Sequence, residues 1–167
     1  GANWYRNAVS LITDRSSPSE LFASGKLLGR PSAGRMSMFF YDPKFKQRLP
    51  YYDTFPLVLP LEPMKGGFIG LNFHYLPYGA RFAFLQQLQR YSSNAKFDQS
   101  TKIQASYNAI KGNKYTKASI KRYLYSHVRS QFLRVNVNEM ALAAYLPVAQ
   151  FQGATLGQVF ARSRKTF

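Results

Sequence analysis

The chain contains no cysteine, which removes disulfides, thiolate metal sites and cysteine nucleophiles. That absence suits the cytosol and a virion equally. Acidic residues are scarce: seven Asp and Glu in 167 residues, at Asp14, Glu20, Asp42, Asp53, Glu62, Asp98 and Glu139. A two-metal nuclease needs several carboxylates converging on one site. Only Asp42, Asp53 and Glu62 form a local group, and Asp42 and Asp53 sit in turn contexts where Asp bonds its own backbone. Histidine is limited to His74 and His127, without ligand spacing. His74, on an expected apolar strand, reads as a hydrogen-bonded core residue rather than a catalyst. No serine occupies a nucleophile-elbow context and no glycine-rich phosphate loop is present. Gly66, Gly67 and Gly70 lack dinucleotide-fingerprint spacing and suit a turn and a close strand approach. The longest apolar run, Phe55 to Leu61, is broken by Pro56 and Pro60, far short of a membrane span. The expectation is a protein that is no enzyme, holds no metal or cofactor and does not enter a membrane.

What the chain does have is positive charge. Lys and Arg number 23, giving a formal net charge of +16, and they are interleaved with 14 Phe and 12 Tyr. A folded domain with this uncompensated charge repels itself unless a polyanion or a larger assembly neutralises it. Nucleic acid fits best, because phosphates attract the cations and aromatic rings pack on bases or sugars. The blander reading is a basic subunit neutralised within an assembly.

The length suits a single domain over 1–167, and an apolar share of 46% is ample for a core. The fold class expected is α+β. Residues 1–25 read as a helical segment: Trp4, Ala8 and Leu11 share a face, and Ser17-Pro18-Ser19-Glu20 has capping-box form. Residues 26–34, rich in Gly, Pro and Ser, read as a linker or arm exposing Lys26 and Arg30. Residues 35–77 read as a β module, a small antiparallel and partly barrel-like sheet. Its strands are Met36 to Tyr41, Phe55 to Leu61 and Phe68 to Tyr75, the second an edge strand or extended segment on account of its prolines. Residues 78–167 read as a basic helical region. One helix carries the stripe Phe82, Leu85 and Leu88, and another runs around Ile103 to Ile110. A third turns Ile120, Leu124 and Val128 inward, with Lys117, Lys121, Arg122 and Arg129 on its other faces. Gln131 to Val137 carries the residue types of a further strand. Asn138 and Thr155 are the caps of two final helices, the last ending in Arg162, Arg164 and Lys165.

From Thr101 onward there are eleven Lys and Arg against one acid, Glu139. The candidate nucleic-acid-binding residues are Lys111, Lys114, Lys117, Lys121, Arg122, Tyr125, Arg129, Arg162, Arg164 and Lys165. On a helix, Lys117 and Lys121 would share a face, with Tyr125 one turn on, tracking a phosphate backbone while tyrosine packs on sugars or bases. For each individual tyrosine, a place in the core is the competing reading.

One stretch reads as a family signature. It comprises Met38-Phe39-Phe40-Tyr41-Asp42-Pro43-Lys44, then Leu49-Pro50-Tyr51-Tyr52-Asp53 and Phe55-Pro56-Leu57-Val58. It continues through Gly67-Phe68-Ile69-Gly70-Leu71-Asn72-Phe73-His74-Tyr75-Leu76-Pro77. The pattern resembles small virion proteins of T4-like tailed phages of the DNA end protector or head-completion type. It covers about residues 35 to 77, with weaker similarity at Tyr145-Leu146-Pro147-Val148 and the basic C-terminus. The resemblance implies a structural virion protein meeting packaged DNA and other phage virion proteins, present in the host cytoplasm during assembly. It supplies no catalytic residues. A start at Gly1-Ala2 is compatible with proteolytic maturation, removal of Met or a tag remnant. Three readings stand: a DNA-contacting virion protein of the DNA end or head–neck region, with little sequence specificity; a neck, tail or baseplate subunit acting through protein contacts alone; and an RNA-binding or ribosomal-type protein.

Overall fold

The protein is described here from a computed structural model covering residues 26–31, 35–92, 117–135, 143–144 and 149–165. The helices expected over 1–25 and around Ile103 to Ile110 lie outside these residues, as does most of the one capped by Asn138. Strands β1 (Lys26–Leu28), β2 (Ser37–Met38), β4 (Leu57–Met64), β5 (Gly67–Asn72), β6 (Ile120–Leu124) and β7 (Phe132–Arg134) form one sheet. Its order is β1-β7-β2-β4-β5-β6, and every pairing is antiparallel. The sheet is open, with β1 and β6 at its edges, rather than barrel-like. A two-stranded ribbon of β3 (Tyr52–Asp53) and β8 (Phe151–Gln152) stands apart. Among the described residues, the helices whose two ends are both placed are α1 (Tyr78–Ser92) and α2 (Leu156–Lys165).

The run from Leu57 to Leu61 is apolar without alternation because both faces of the sheet are covered. Side chains alternate along a strand, so Leu57 and Leu59 join a core with Leu71, Phe73, Phe84 and Leu85. Val58 points the other way, into an aromatic cluster with Phe39, Tyr41, Phe68, Tyr123 and Phe132. Phe39 is at its centre, fully buried, with ring centroids 4.8 Å from Phe132 and 5.4 Å from Tyr123.

Several expectations need correction. The strand with prolines is interior, not an edge. Its prolines are tolerated because β2 reaches only Leu57 and Val58, leaving Pro60 and Pro63 with a neighbour on one side, and a bulge follows Pro60. Lys26–Leu28, expected in a linker, pairs with β7. Ile120 to Leu124, expected to be helical, is edge strand β6, so the region after residue 78 is not uniformly helical. Lys, Arg, Tyr and Leu have no strong intrinsic veto on either state, and the seat beside β5 decides the outcome. Phe82 is 51% exposed while Arg81, Phe84 and Leu85 are buried, so the stripe of α1 is rotated from the expected one. Arg81 explains the rotation. Its guanidinium donates to the carbonyls of Leu76 at 2.8 Å, Ala144 at 2.6 Å and His74 at 3.1 Å, which lets a charged residue occupy a core position. The expected strand near 131–137 is present as β7. Thr155 caps α2 in a reciprocal box, its hydroxyl accepting from Gln158 N–H at 3.2 Å and Gln158 Oε1 accepting from Thr155 N–H at 2.9 Å.

Replacing Phe39 by Ala is expected to destabilise the protein by about 3–5 kcal/mol, the usual loss for a buried Phe. Phe40, half-buried against Phe55, should lose distinctly less on the same change. Denaturant titrations of the two variants check the order, and equal losses would contradict the assignment of Phe39 as the centre of that cluster.

Candidate functional site

Where the ribbon β3–β8 faces the β5–β6 edge of the sheet, a cleft of about 530 Å³ opens. Tyr41, Phe45, Tyr51, Tyr52, Tyr75 and Tyr123 supply rings to its lining, and Lys44, Lys121 and Arg122 supply cations. Asp53 and Asn72 also border it.

The inner wall is fixed by buried polar contacts. Asp53 accepts from His74 Nδ1 at 2.6 Å, from Asn72 Nδ2 at 3.1 Å, and from the backbone N–H groups of Phe55 at 3.0 Å and Gln150 at 3.1 Å. Burial pushes the Asp53 carboxyl up, but the nearby His74 charge and these hydrogen bonds outweigh it and hold the group below the ordinary Asp value. Asp53 therefore stays ionised with its oxygens engaged, and does not serve as a free base in the cleft. His74 is fully buried, on a short 3-10 turn, Phe73–Tyr75, that follows β5. It is hydrogen-bonded, as its apolar setting suggested, and is sealed from the cleft's solvent.

The phenols are neutral. Burial raises Tyr41, Tyr75 and Tyr123 above the ordinary Tyr value, so they present ring faces and hydroxyl groups rather than phenolate nucleophiles. Tyr41 accepts from Leu124 N–H at 2.9 Å, which ties the cleft floor to β6. Among the described residues no group of three His, Cys, Asp or Glu could hold a metal ion. Asp42, Asp53 and Glu62 are separated in role. Asp42 is paired at 2.9 Å with Lys46, whose hydrogen bond lowers the Asp42 carboxyl's pKa; Asp53 is buried; Glu62 is exposed.

Lys121 is the unusual cation. It lies half-buried with Nζ 4.3 Å from the centre of the Tyr75 ring, a cation–π contact. No carboxylate of a described residue pairs with it. Desolvation lowers its pKa below the ordinary 10.5. A cation held short of water against a flat ring is one that a nearby anionic group would stabilise.

The other expected contact residues divide. Arg122 is exposed beside Lys121 on β6. The shared helical face proposed for Lys117, Lys121 and Tyr125 does not exist: Lys117 is on a 3-10 turn and Lys121 on a strand. Tyr125 packs against Phe68 at 5.8 Å with Arg30 at 5.2 Å over its ring, so it belongs to the margin of the aromatic cluster. Arg129 donates to Ser126 O at 2.7 Å and lies 3.7 Å from Asp42. Arg162 lies 5.6 Å over the ring of Tyr51, at the margin of the cleft. Arg164 and Lys165 end α2, while Lys111 and Lys114 lie outside the described residues. Sequence reasoning passed over Tyr51, Tyr52, Lys44 and Phe45 by assigning their segment to scaffold. The signal was available in Lys44-Phe45-Lys46-Gln47-Arg48, where aromatic and basic residues interleave as they do further along.

Exchange of Lys121 for Met keeps a long side chain on Tyr75 and removes the desolvated charge. The folded pKa lies below the unfolded one, so the unfolded chain binds more protons between those values and wild-type stability rises with pH across that interval. The variant is expected to be more stable than wild type at pH 7, with the difference shrinking as pH approaches 10.5. Denaturation midpoints at pH 7 and pH 10 check this, and a variant weaker at neutral pH would refute it.

Residues 21–165 match the family model described as Phage T4 terminal DNA protecting protein. No curated protein and no solved structure matches the chain.

Proposed function

The chain belongs to the phage T4 terminal DNA protecting protein family, and we propose that it is a non-enzymatic virion protein that shields DNA ends, with the aromatic and basic cleft as its DNA contact. The observation that carries this site is Lys121, a half-buried cation on the Tyr75 ring with no carboxylate partner among the described residues. Removing a cation from water destabilises it, and a nearby phosphate offsets that penalty. Arg122 and Lys44 extend the positive lining. Arg162 adds positive charge at the margin of the cleft, and Lys111, Lys114, Lys117, Arg129, Arg164 and Lys165 add to the charge the chain has for phosphates.

This arrangement suits backbone contact with little base reading. Asp53 and Asn72, which border the cleft, are engaged with one another and with neighbouring backbone rather than free to read bases. Protection would then be steric: a protein seated on the terminus denies an exonuclease its starting point. Other virion proteins are partners in this reading, and the host cytoplasm is where the protein meets the DNA before the particle is complete.

The test joins binding to protection. Wild-type protein should bind duplex DNA without strong sequence preference, with log affinity falling against log salt by about 0.9 per phosphate contacted. It should also slow exonuclease digestion of linear duplex at protein concentrations that saturate the ends. The triple variant Lys44→Ala, Lys121→Met, Arg122→Ala should bind more weakly, and its salt slope should be shallower by about one unit for each phosphate it no longer neutralises. Unchanged affinity in the triple variant would remove the cleft as the DNA contact. Absence of any low-salt DNA binding by wild type, together with normal incorporation into particles, would favour the neck or tail subunit acting through protein contacts.

A further inference from the structure

At the lip of the cleft one residue is both strained and exposed. Phe45 has φ 59° and ψ 34°, and among the described residues it is the only non-glycine with positive φ. A bulky side chain rarely adopts this left-handed conformation, and such strain concentrates at binding and switch sites. Phe45 is also 58% exposed, the highest value among the large apolar side chains described. Burial in the core cannot account for the conformation, because the ring does not enter the core.

The surroundings hold the ring out and charge it. Arg48 N–H donates to Phe45 O at 2.9 Å, closing the 3-10 turn Lys46–Arg48 directly after it. Lys46 anchors that turn to Asp42 at 2.9 Å. Lys44 Nζ lies 5.0 Å and the Arg48 guanidinium 5.4 Å from the ring centre. The result is an aromatic knob between flexible cations, bordering the cleft that contains Lys121.

We infer that Phe45 stacks on the outer face of the terminal base pair of a DNA duplex, while Lys44 and Arg48 reach the phosphates of its last nucleotides. This rests on the DNA-binding reading above and adds what distinguishes an end from the middle of a duplex. Phosphates are present all along DNA, so cations alone cannot prefer a terminus. A base-pair face is open only at an end, and an exposed ring is the group that recognises it, since stacking tolerates every base. The positive charge around Phe45 favours DNA as occupant over an apolar protein surface, which would have to desolvate two cations to reach the ring.

The experiment compares the full chain's affinity for a blunt linear duplex with that for the same sequence closed at both ends by hairpin loops, at one fixed salt concentration. Wild type is expected to prefer the open duplex by about ten-fold or more, the scale of one aromatic stacking contact. Phe45→Ala and Phe45→Gly should bring that preference close to unity. Phe45→Trp should keep it. Phe45→Gly carries a separate reading of folding: glycine tolerates positive φ, so this variant should be at least as stable as wild type while blind to ends. A fluorescent 2-aminopurine placed in the terminal pair should be quenched by wild type and by Phe45→Trp but not by Phe45→Gly. Equal wild-type affinity for open and closed duplexes would overturn the inference while leaving DNA binding intact. A preference that survives Phe45→Gly would overturn it as well. Failure of wild type to bind either duplex at low salt would instead overturn the DNA-binding reading on which it rests.

Discussion

The contact between His74 and Asp53 is the constraint on which the cleft depends. Asp53 belongs to a ribbon outside the main sheet, and His74 to the turn that leaves β5. Their 2.6 Å contact, buried on both sides, joins two units that share no strand pairing. The same turn is gripped elsewhere: His74 N–H donates to Asn72 Oδ1 at 3.0 Å, and His74 O accepts from Arg81 at 3.1 Å. One residue thus links the ribbon through its side chain and α1 through its backbone. The strand that follows Tyr51 is thereby fastened to the turn that carries Tyr75.

The β module was legible because its signals are local. Gly66 has φ 76° in the turn between β4 and β5, and Tyr41, Phe68 and Leu71 are buried as expected, whereas Phe40, expected to be buried with them, is only half-buried. Thr155, read as a cap from its residue type, does start α2. What sequence did not disclose was set by tertiary placement. Ile120 to Leu124 satisfies a helical stripe and a strand equally, and only the open edge of β5 selects between them. Nothing local reveals that Arg81 on α1 is buried, because the carbonyls it meets are gathered from Leu76, His74 and Ala144. The site was half legible for the same reason. Charge identified Lys121 and Arg122, but the rings that face them come from the segment read as scaffold, and chain separation hid the pairing of the two.

In the proposed site, scaffold and binding surface are not separate. Tyr123 is wholly part of the aromatic cluster through Phe39 and Phe68, yet it also borders the cleft. Tyr75 packs on Phe151 at 5.0 Å and on Tyr51 at 6.0 Å while carrying Lys121 over its ring. The rings that would meet a ligand are therefore held by the packing that stabilises the fold. Such a site is preorganised at little entropic loss on binding, and its charged member is the part least favourable to the folded state.

Gly67 and Gly70 on β5 show how far the site's determinants extend. A side chain at Gly67 would run into the backbone carbonyl of Tyr123, and one at Gly70 into Val58 and the backbone of Leu59. Bare Gly67 lets β6 lie against β5, with Lys121 opposite Gly70 and Arg122 opposite Ile69, and bare Gly70 lets β4 close on the other side. A shift of one residue would turn every β6 side chain to the other face. A genetic screen scoring only DNA protection would therefore recover lesions at two glycines that offer no atom to the ligand, and their phenotype would be indistinguishable from loss of Lys121 until the folded protein was measured directly.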